Sequence, residues 1–263
     1  MQTIEEFLVS GVFAFMMIFT RLGTAFTIMP GFGDGFVPTR VKLLSALAMS
    51  FVLMPVTMKY MPATIPAFPV LFSLLLVEFV IGIFIGSIAR IFMAALDVAG
   101  MIIASLSGLA NAQIFNPALA SQGSLTGAFL SLLGLVMLFT ADLHHMLIYG
   151  LVESYTVFPV GGVPETGSMA ELVSRAVSSS FLIGFQIAIP FIIIAMLLYI
   201  GMGVLSRLMP QVQVFILALP VQILLSMLTL FLVVSAGMLF WLSEFENAME
   251  FFLSNIVDPS ARP

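Results

Sequence analysis

Apolar residues in this chain gather into six runs, at about 7–28, 42–60, 67–95, 124–150, 177–205 and 212–242. Each is long enough to cross a hydrocarbon layer about 30 Å thick, which takes roughly 20 helical residues. The runs are apolar on every side, the pattern of helices immersed in lipid or in other protein. They lack the alternation of barrel strands. Backbone groups in lipid must bond within their own segment, so the runs predict helices and an all-α, polytopic integral membrane protein. Pro55, Pro190 and Pro220 fall inside runs. Each removes a backbone hydrogen bond, which predicts long, bent helices packed on neighbours.

Turn chemistry separates the runs. Pro30-Gly31-Phe32-Gly33-Asp34-Gly35 and Pro38 make the first break, and Tyr60 to Pro69 carries Pro62, Pro66 and Pro69. Residues 158–168 hold Pro159, Gly161, Gly162, Pro164 and Gly167, and the segment near Arg207 and Pro210 parts the last two runs. From Glu244 the tail is acidic, with Phe245, Met249, Phe252 and Leu253 at helical spacing, which suits an interface or a partner. No charged, Ser-rich or Pro-rich linker divides the chain and no long internal repeat is present, so residues 1–263 read as a single membrane domain.

Composition agrees. Apolar residues make up 61% of the chain and charged ones 8%, against about 25% charged in soluble domains. That leaves too little polar surface to face water. A net charge of −5 argues against nucleic acid. The absence of cysteine excludes disulfides, thiolate nucleophiles and Cys-based metal sites. Met1 to Phe7 contains Glu5 and Glu6 and no basic residue, unlike a secretory signal, so the first run is expected to stay as a helix. With six crossings, Arg40, Lys42 and Arg207 share one side, with Arg90 toward it, and Lys59, Arg175 and Arg262 the other. This small bias places both termini outside the cytoplasm.

Little in the chain suggests catalysis. Residues 31–35 are glycine-rich but lack the Lys-Ser/Thr of a phosphate loop, and a tight turn explains them. His144 and His145 are adjacent, so on a helix they diverge by about 100°. With Asp142 they read as a polar patch at a helix end or a subunit contact, in preference to a metal site. No Ser, His and Asp form an evident triad. The chain is not expected to be an enzyme, and no catalytic, cofactor or metal residues are assigned.

Ionisable residues inside the runs are costly and read as functional. Glu78 lies mid-run, Arg90 near its end, Asp97 beyond it and Arg21 within the first run. Glu78, Gly82, Gly86 and Arg90 recur every four residues as one stripe. Glu78 and Arg90 are about 18 Å apart along a straight helix, so their partners lie on other helices or chains. Gly82 with Gly86, like Gly123 with Gly127, permits close helix approach. Two readings compete: a transport path for a small molecule or ion using Glu78, Arg90 and Asp97, and an assembly seam. The seam is favoured, because the paired repeats of secondary transporters are missing. A scaffold with no channel lining is a third possibility.

No charge occurs between Asp97 and Asp142. Within that gap, Ser105 to Gly123 reads SLSGLANAQIFNPALASQG. It is too broken for a spanning helix and too neutral for a solvated loop. Irregular backbone at membrane depth must be buried in protein or line a cavity. A constriction, re-entrant loop or plug fits, with an ordinary external loop as the plain alternative. The 19 methionines add adaptable filler that seals against varied shapes.

In order along the chain, MPGFGDGFVPTRVKLLSALAMSF, VEFVIGIFIGSIARIFMAALDVAGMIIASLSGLA, FNPA and SRLMPQVQVFILALPVQI resemble the flagellar export-gate family FliR and its virulence-secretion relatives. The ordered set carries the resemblance over nearly the whole chain, and no single piece is specific. Asn116 stands where the family more often has Asp, and Gln213 and Ala218 where Asn and Gly are usual. The resemblance implies a core component of the type III protein export gate. It implies long helical hairpins, tilted within a hetero-oligomeric helical assembly with FliP-like and FliQ-like subunits, around a channel for unfolded protein substrates. FlhB-like and FlhA-like export proteins would be neighbours. Residues 1–175 would be the FliP-like first part, and 176–263 the FliQ-like hairpin and C-terminal tail. Gly108, Ala110, Gln113, Ile114, Phe115, Asn116 and Pro117 fall where such proteins have a channel plug. Pro210, Gln211 and Pro220 would join Glu78, Gly82, Gly86 and Arg90 in the seam. The expected location is the bacterial inner membrane at the flagellar basal body.

Overall fold

The computed structural model describes residues 4–61, 66–110, 124–162, 164–209 and 214–257. These form seven α-helices: α1 (Ile4–Ile28), α2 (Thr39–Thr57), α3 (Phe68–Ser107), α4 (Leu125–Thr140), α5 (Leu143–Val157), α6 (Thr166–Leu208) and α7 (Val214–Val257). A short 3₁₀ turn, Met58–Tyr60, follows α2. There is no strand among the described residues, so the fold is all-α. Five helices are long and apolar enough to cross a membrane, or six crossings if α4 and α5 form one broken span. This is a multi-pass membrane protein.

Two boundaries differ from the sequence reading. The run at 124–150 is not one helix. It breaks at Ala141–Asp142, where Asp142 adopts a left-handed conformation with φ 58°. Asp tolerates that region better than most residues, so the chain turns without Gly or Pro. The run at 67–95 continues to Ser107, so Ser105 to Ser107 of the expected loop are helical. With 40, 43 and 44 residues, α3, α6 and α7 each contain about 60 Å or more of helix, twice a hydrocarbon layer. The acidic tail is a continuation of α7, and Pro55, Pro190 and Pro220 lie inside α2, α6 and α7.

The chain divides into two compact units. The first contains α1, α2, α3 up to Ile91, α5, the start of α6 and the end of α7. Its core is Met17, Ile18, Leu22, Ala25 and Phe26 of α1, with Ile81, Phe84 and Ile88 of α3 and Leu147, Leu151 and Tyr155 of α5. Arg21 meets Glu78, and Ala25 and Ile28 meet Gly86, so α1 and this part of α3 run parallel. Gly11 near the start of α1 faces Met54 near the end of α2, and a short turn joins their other ends, so α2 is antiparallel to α1.

The second unit contains α3 from Phe92, α4, α6 from Val177 and α7 to Glu246. Here α3 and α4 are antiparallel: Gly100 meets Gly127, and Leu96 and Met93 meet Gly134. A Cβ on Gly100 would sit 2.1 Å from the Gly127 Cα, so only glycine allows this crossing. The lone tryptophan, Trp241, is fully buried and donates from Nε1 to the Phe92 carbonyl at 3.1 Å. Large apolar side chains remain exposed in both units, among them Phe51, Phe68, Phe231 and Leu232. Surface of this kind faces lipid or other chains.

Candidate functional site

In the first unit, Arg21 and Glu78 form a buried ion pair, with side chains 0% and 1% exposed. Nε of Arg21 donates to Glu78 Oε2 at 2.6 Å and Nη2 donates to Oε1 at 2.9 Å, a two-pronged contact. This fork geometry matches the guanidinium to the carboxylate plane. Nη1 donates to Ser154 Oγ at 3.0 Å, and Nη2 also reaches the Phe158 carbonyl at 2.8 Å. The guanidinium carbon lies 3.8 Å from the centre of the Tyr155 ring, a cation–π contact. One arginine thus ties α1 to α3, to α5 and to the segment after α5. An unpaired charge at such depth would be costly, and the partners remove that cost.

The rest of the predicted stripe follows along the same face of α3. A Cβ on Gly82 would lie 1.9 Å from Thr24 Oγ1 and 2.4 Å from the Arg21 carbonyl. On Gly86 it would lie 2.9 Å from the Ala25 carbonyl. Arg90 pairs with Asp34 in the 30–38 turn, and Asp34 also accepts from the Gly31 amide at 2.8 Å. Lys42 Nζ donates to the Gly33 carbonyl at 2.7 Å, holding the other side of that turn. All four stripe residues therefore meet partners within this chain.

In the second unit lie the two ends of the uncharged loop. Gly108 takes φ 75°, a conformation that favours glycine, and terminates α3. The Ala110 amide donates back to the Ala104 carbonyl at 3.1 Å. On the return, Ser124 and Thr126 hydroxyls donate to the Gly100 carbonyl at 2.9 and 2.8 Å. Both ends are thus rooted on the last turns of α3. Gln222 of α7 donates from Nε2 to the Leu106 carbonyl and to Tyr199 Oη of α6. It holds the base of the loop against the final hairpin. Gln113, Ile114, Phe115, Asn116 and Pro117 lie outside the described residues, as do Pro210 and Gln211. Pro220 lies in α7, two residues before Gln222. Asp97 is exposed and accepts from Ser131 Oγ at 2.6 Å. Glu78, Arg90 and Asp97 are each engaged by a different partner.

Comparison with known families decides the class. The profile of the bacterial export proteins, family 1, matches residues 12–248. The chain belongs to that family. It is 33% identical to the flagellar biosynthetic protein FliR of Caulobacter vibrioides, over 92% of this chain and 96% of that protein. It is 29% identical to the FliR of Aquifex aeolicus, over 98% of each. It is also 32% identical to the Yop proteins translocation protein T of Yersinia pestis, over 55% of this chain and 56% of that protein.

In this export protein, the buried network from Arg21 to Phe158 and the loop base from Gly100 to Gln222 all lie inside the matched region. Two contributors escaped the sequence reading. Arg21 was visible as a charge in an apolar run, but its pairing with Glu78, 57 residues away, was not. Gln222 is the polar residue of PVQI in the last run, a signal of the kind that marks a satisfied polar group in an apolar helix.

Proposed function

We propose that this chain is a core component of the type III, flagellar protein export gate. It would co-assemble with FliP-like and FliQ-like subunits in the bacterial inner membrane, beside FlhB-like and FlhA-like proteins. The assembly conducts unfolded substrates and the chain performs no chemistry. Residues 1–175 form the FliP-like part, and 176–263 the FliQ-like hairpin and tail. Glu78, Gly82, Gly86 and Arg90, with Pro210, Gln211 and Pro220, belong to the assembly seam, the first four by fixing the helix packing of the subunit that enters it.

One observation carries the channel reading: a 13-residue uncharged segment, 111–123, leaves and rejoins the same turns of α3 through Ala110 and Ser124. Neutral, apolar Ile114 and Phe115 exclude water from a narrow opening, as hydrophobic gates do. Small neutral lining suits varied polypeptides, since strong side-chain sites would trap them. The Arg21–Glu78 pair supports a structural role for the intramembrane carboxylate over a transporter's ion site.

Deleting Ala110 to Ala118 tests the plug. Assembly should survive, because few helix contacts are lost, and the purified complex should conduct ions in a planar bilayer while idle. Polar replacement of Ile114 and Phe115 should give a weaker leak. A deleted complex that assembles and stays as closed as wild type rules out this loop as the plug. Failure to co-purify with FliP-like and FliQ-like chains rules out the gate itself.

A further inference from the structure

The break between α4 and α5 gathers a set of side chains that the export role does not use. Asp142 turns the chain with φ 58°, an uncommon conformation for a residue with a side chain. His144 and His145 occupy the first turn of α5. Adjacent positions on a helix point about 100° apart, yet these two rings lie with centres 4.1 Å apart. Asp142 Oδ1 lies 3.6 Å from His145 Nδ1. One ligand atom from each of Asp142, His144 and His145 falls within 4.8 Å of the others.

We propose that Asp142, His144 and His145 bind one divalent transition-metal ion of the zinc class. Zinc bonds to nitrogen and oxygen of about 2.0–2.2 Å place tetrahedral ligand atoms about 3.4 Å apart. The observed 3.6 Å edge is close to that value, and a ligand atom of half-buried His144 lies within 4.8 Å of the other two. Asp142 and His145 side chains are 78% and 71% exposed, so the ion keeps room for water. Two imidazoles and one carboxylate suit zinc, cobalt, nickel or copper, whereas magnesium and calcium require oxygen ligands. The helix N-terminus is electropositive and opposes a cation. The carboxylate offsets that opposition and supplies the charge a bare pair of histidines lacks. A bound ion would lock the Asp142 turn onto the first turn of α5, fixing a break that no Gly or Pro imposes.

The chain offers an unusually clean test. It contains two histidines, both in this cluster, and no cysteine. The full-length protein, purified in detergent with a histidine-free tag, is titrated with Zn²⁺ by calorimetry and with Co²⁺ by visible absorption. The expected result is one saturable equivalent, with the Co²⁺ bands of nitrogen and oxygen coordination. His144→Ala, His145→Ala and Asp142→Asn should each weaken binding at least tenfold, and the double histidine variant should lose it. In wild-type protein, Zn²⁺ should also protect both histidines from acylation, a readout that needs no variant to fold. Absence of saturable binding, equal binding by a folded double variant (an adventitious ion only), or unprotected histidines at saturating Zn²⁺ each overturn the site.

Discussion

Arg21 of α1 grips Glu78 of α3 through two hydrogen bonds of 2.6 and 2.9 Å, with both side chains closed off from solvent. The same guanidinium rests on the Tyr155 ring and bonds Ser154 and the Phe158 carbonyl. Helices that arrive by three separate stretches of chain are therefore joined at one charge. The energetic consequence is asymmetric, because losing either partner strands the other in an apolar interior.

Truncating one partner should accordingly be far worse than removing both. Arg21→Ala or Glu78→Ala should each cost about 3–5 kcal/mol, seen as collapse of protein level in membranes and loss of the thermal transition in detergent. Arg21→Met with Glu78→Leu should recover much of that loss. Glu78→Gln keeps the shape and one acceptor, so it should lower complex yield while leaving export per assembled complex unchanged. Wild-type yield with abolished export after Glu78→Gln would point instead to a proton-carrying carboxylate.

At Gly82 even one methyl group lacks space, since its Cβ would overlap Thr24 Oγ1 and the Arg21 carbonyl. Gly82→Ala should destabilise the chain by about 1–3 kcal/mol, as overpacking does, and Gly82→Leu or Gly86→Leu should block recovery of assembled complex. Gly201 and Gly203 have open space around them, so alanine there should leave the melting temperature within error. Equal melting temperatures for Gly82→Ala and Gly201→Ala would refute a tight α1–α3 contact.

Gln222 serves the Leu106 carbonyl at the end of α3. Gln222→Leu preserves bulk but leaves that carbonyl without its donor, a loss of about 1–3 kcal/mol felt locally. Hydrogen exchange should report it as faster exchange of the Leu109 and Ala110 amides, with α1 amides unchanged. If the loop is the plug, the same variant should raise idle conductance less than the loop deletion does.

The 30–38 turn is organised by Asp34, which receives both Arg90 and the Gly31 amide. Arg90 is half-exposed at 49%, so screening limits its pairing to at most about 1 kcal/mol. Asp34→Ala should leave global stability nearly unchanged and loosen the turn, measured as faster protease cleavage between Gly31 and Gly35.

Much of this architecture was already legible in the order of residues. Hydropathy alone required a multi-pass helical membrane protein, because a chain so poor in charge cannot cover itself in water, and long runs without strand alternation satisfy their backbone in lipid as helices. The prolines and glycines at 30–38 and 158–168 marked real ends of helices, since local chemistry suffices to end one. Four-residue spacing put Glu78, Gly82, Gly86 and Arg90 on one face of α3. What that face meets was decided only by tertiary structure. Helix pairing and register bring Arg21 and Asp34 to it, and neither is encoded in any local window. The same limit applies to the break at Asp142, where the left-handed turn falls in an apolar run with no Gly or Pro to announce it. It also explains how neighbouring histidines come to face one another there. Composition records how much of a chain must be hidden from water, whereas the fold decides which group hides against which.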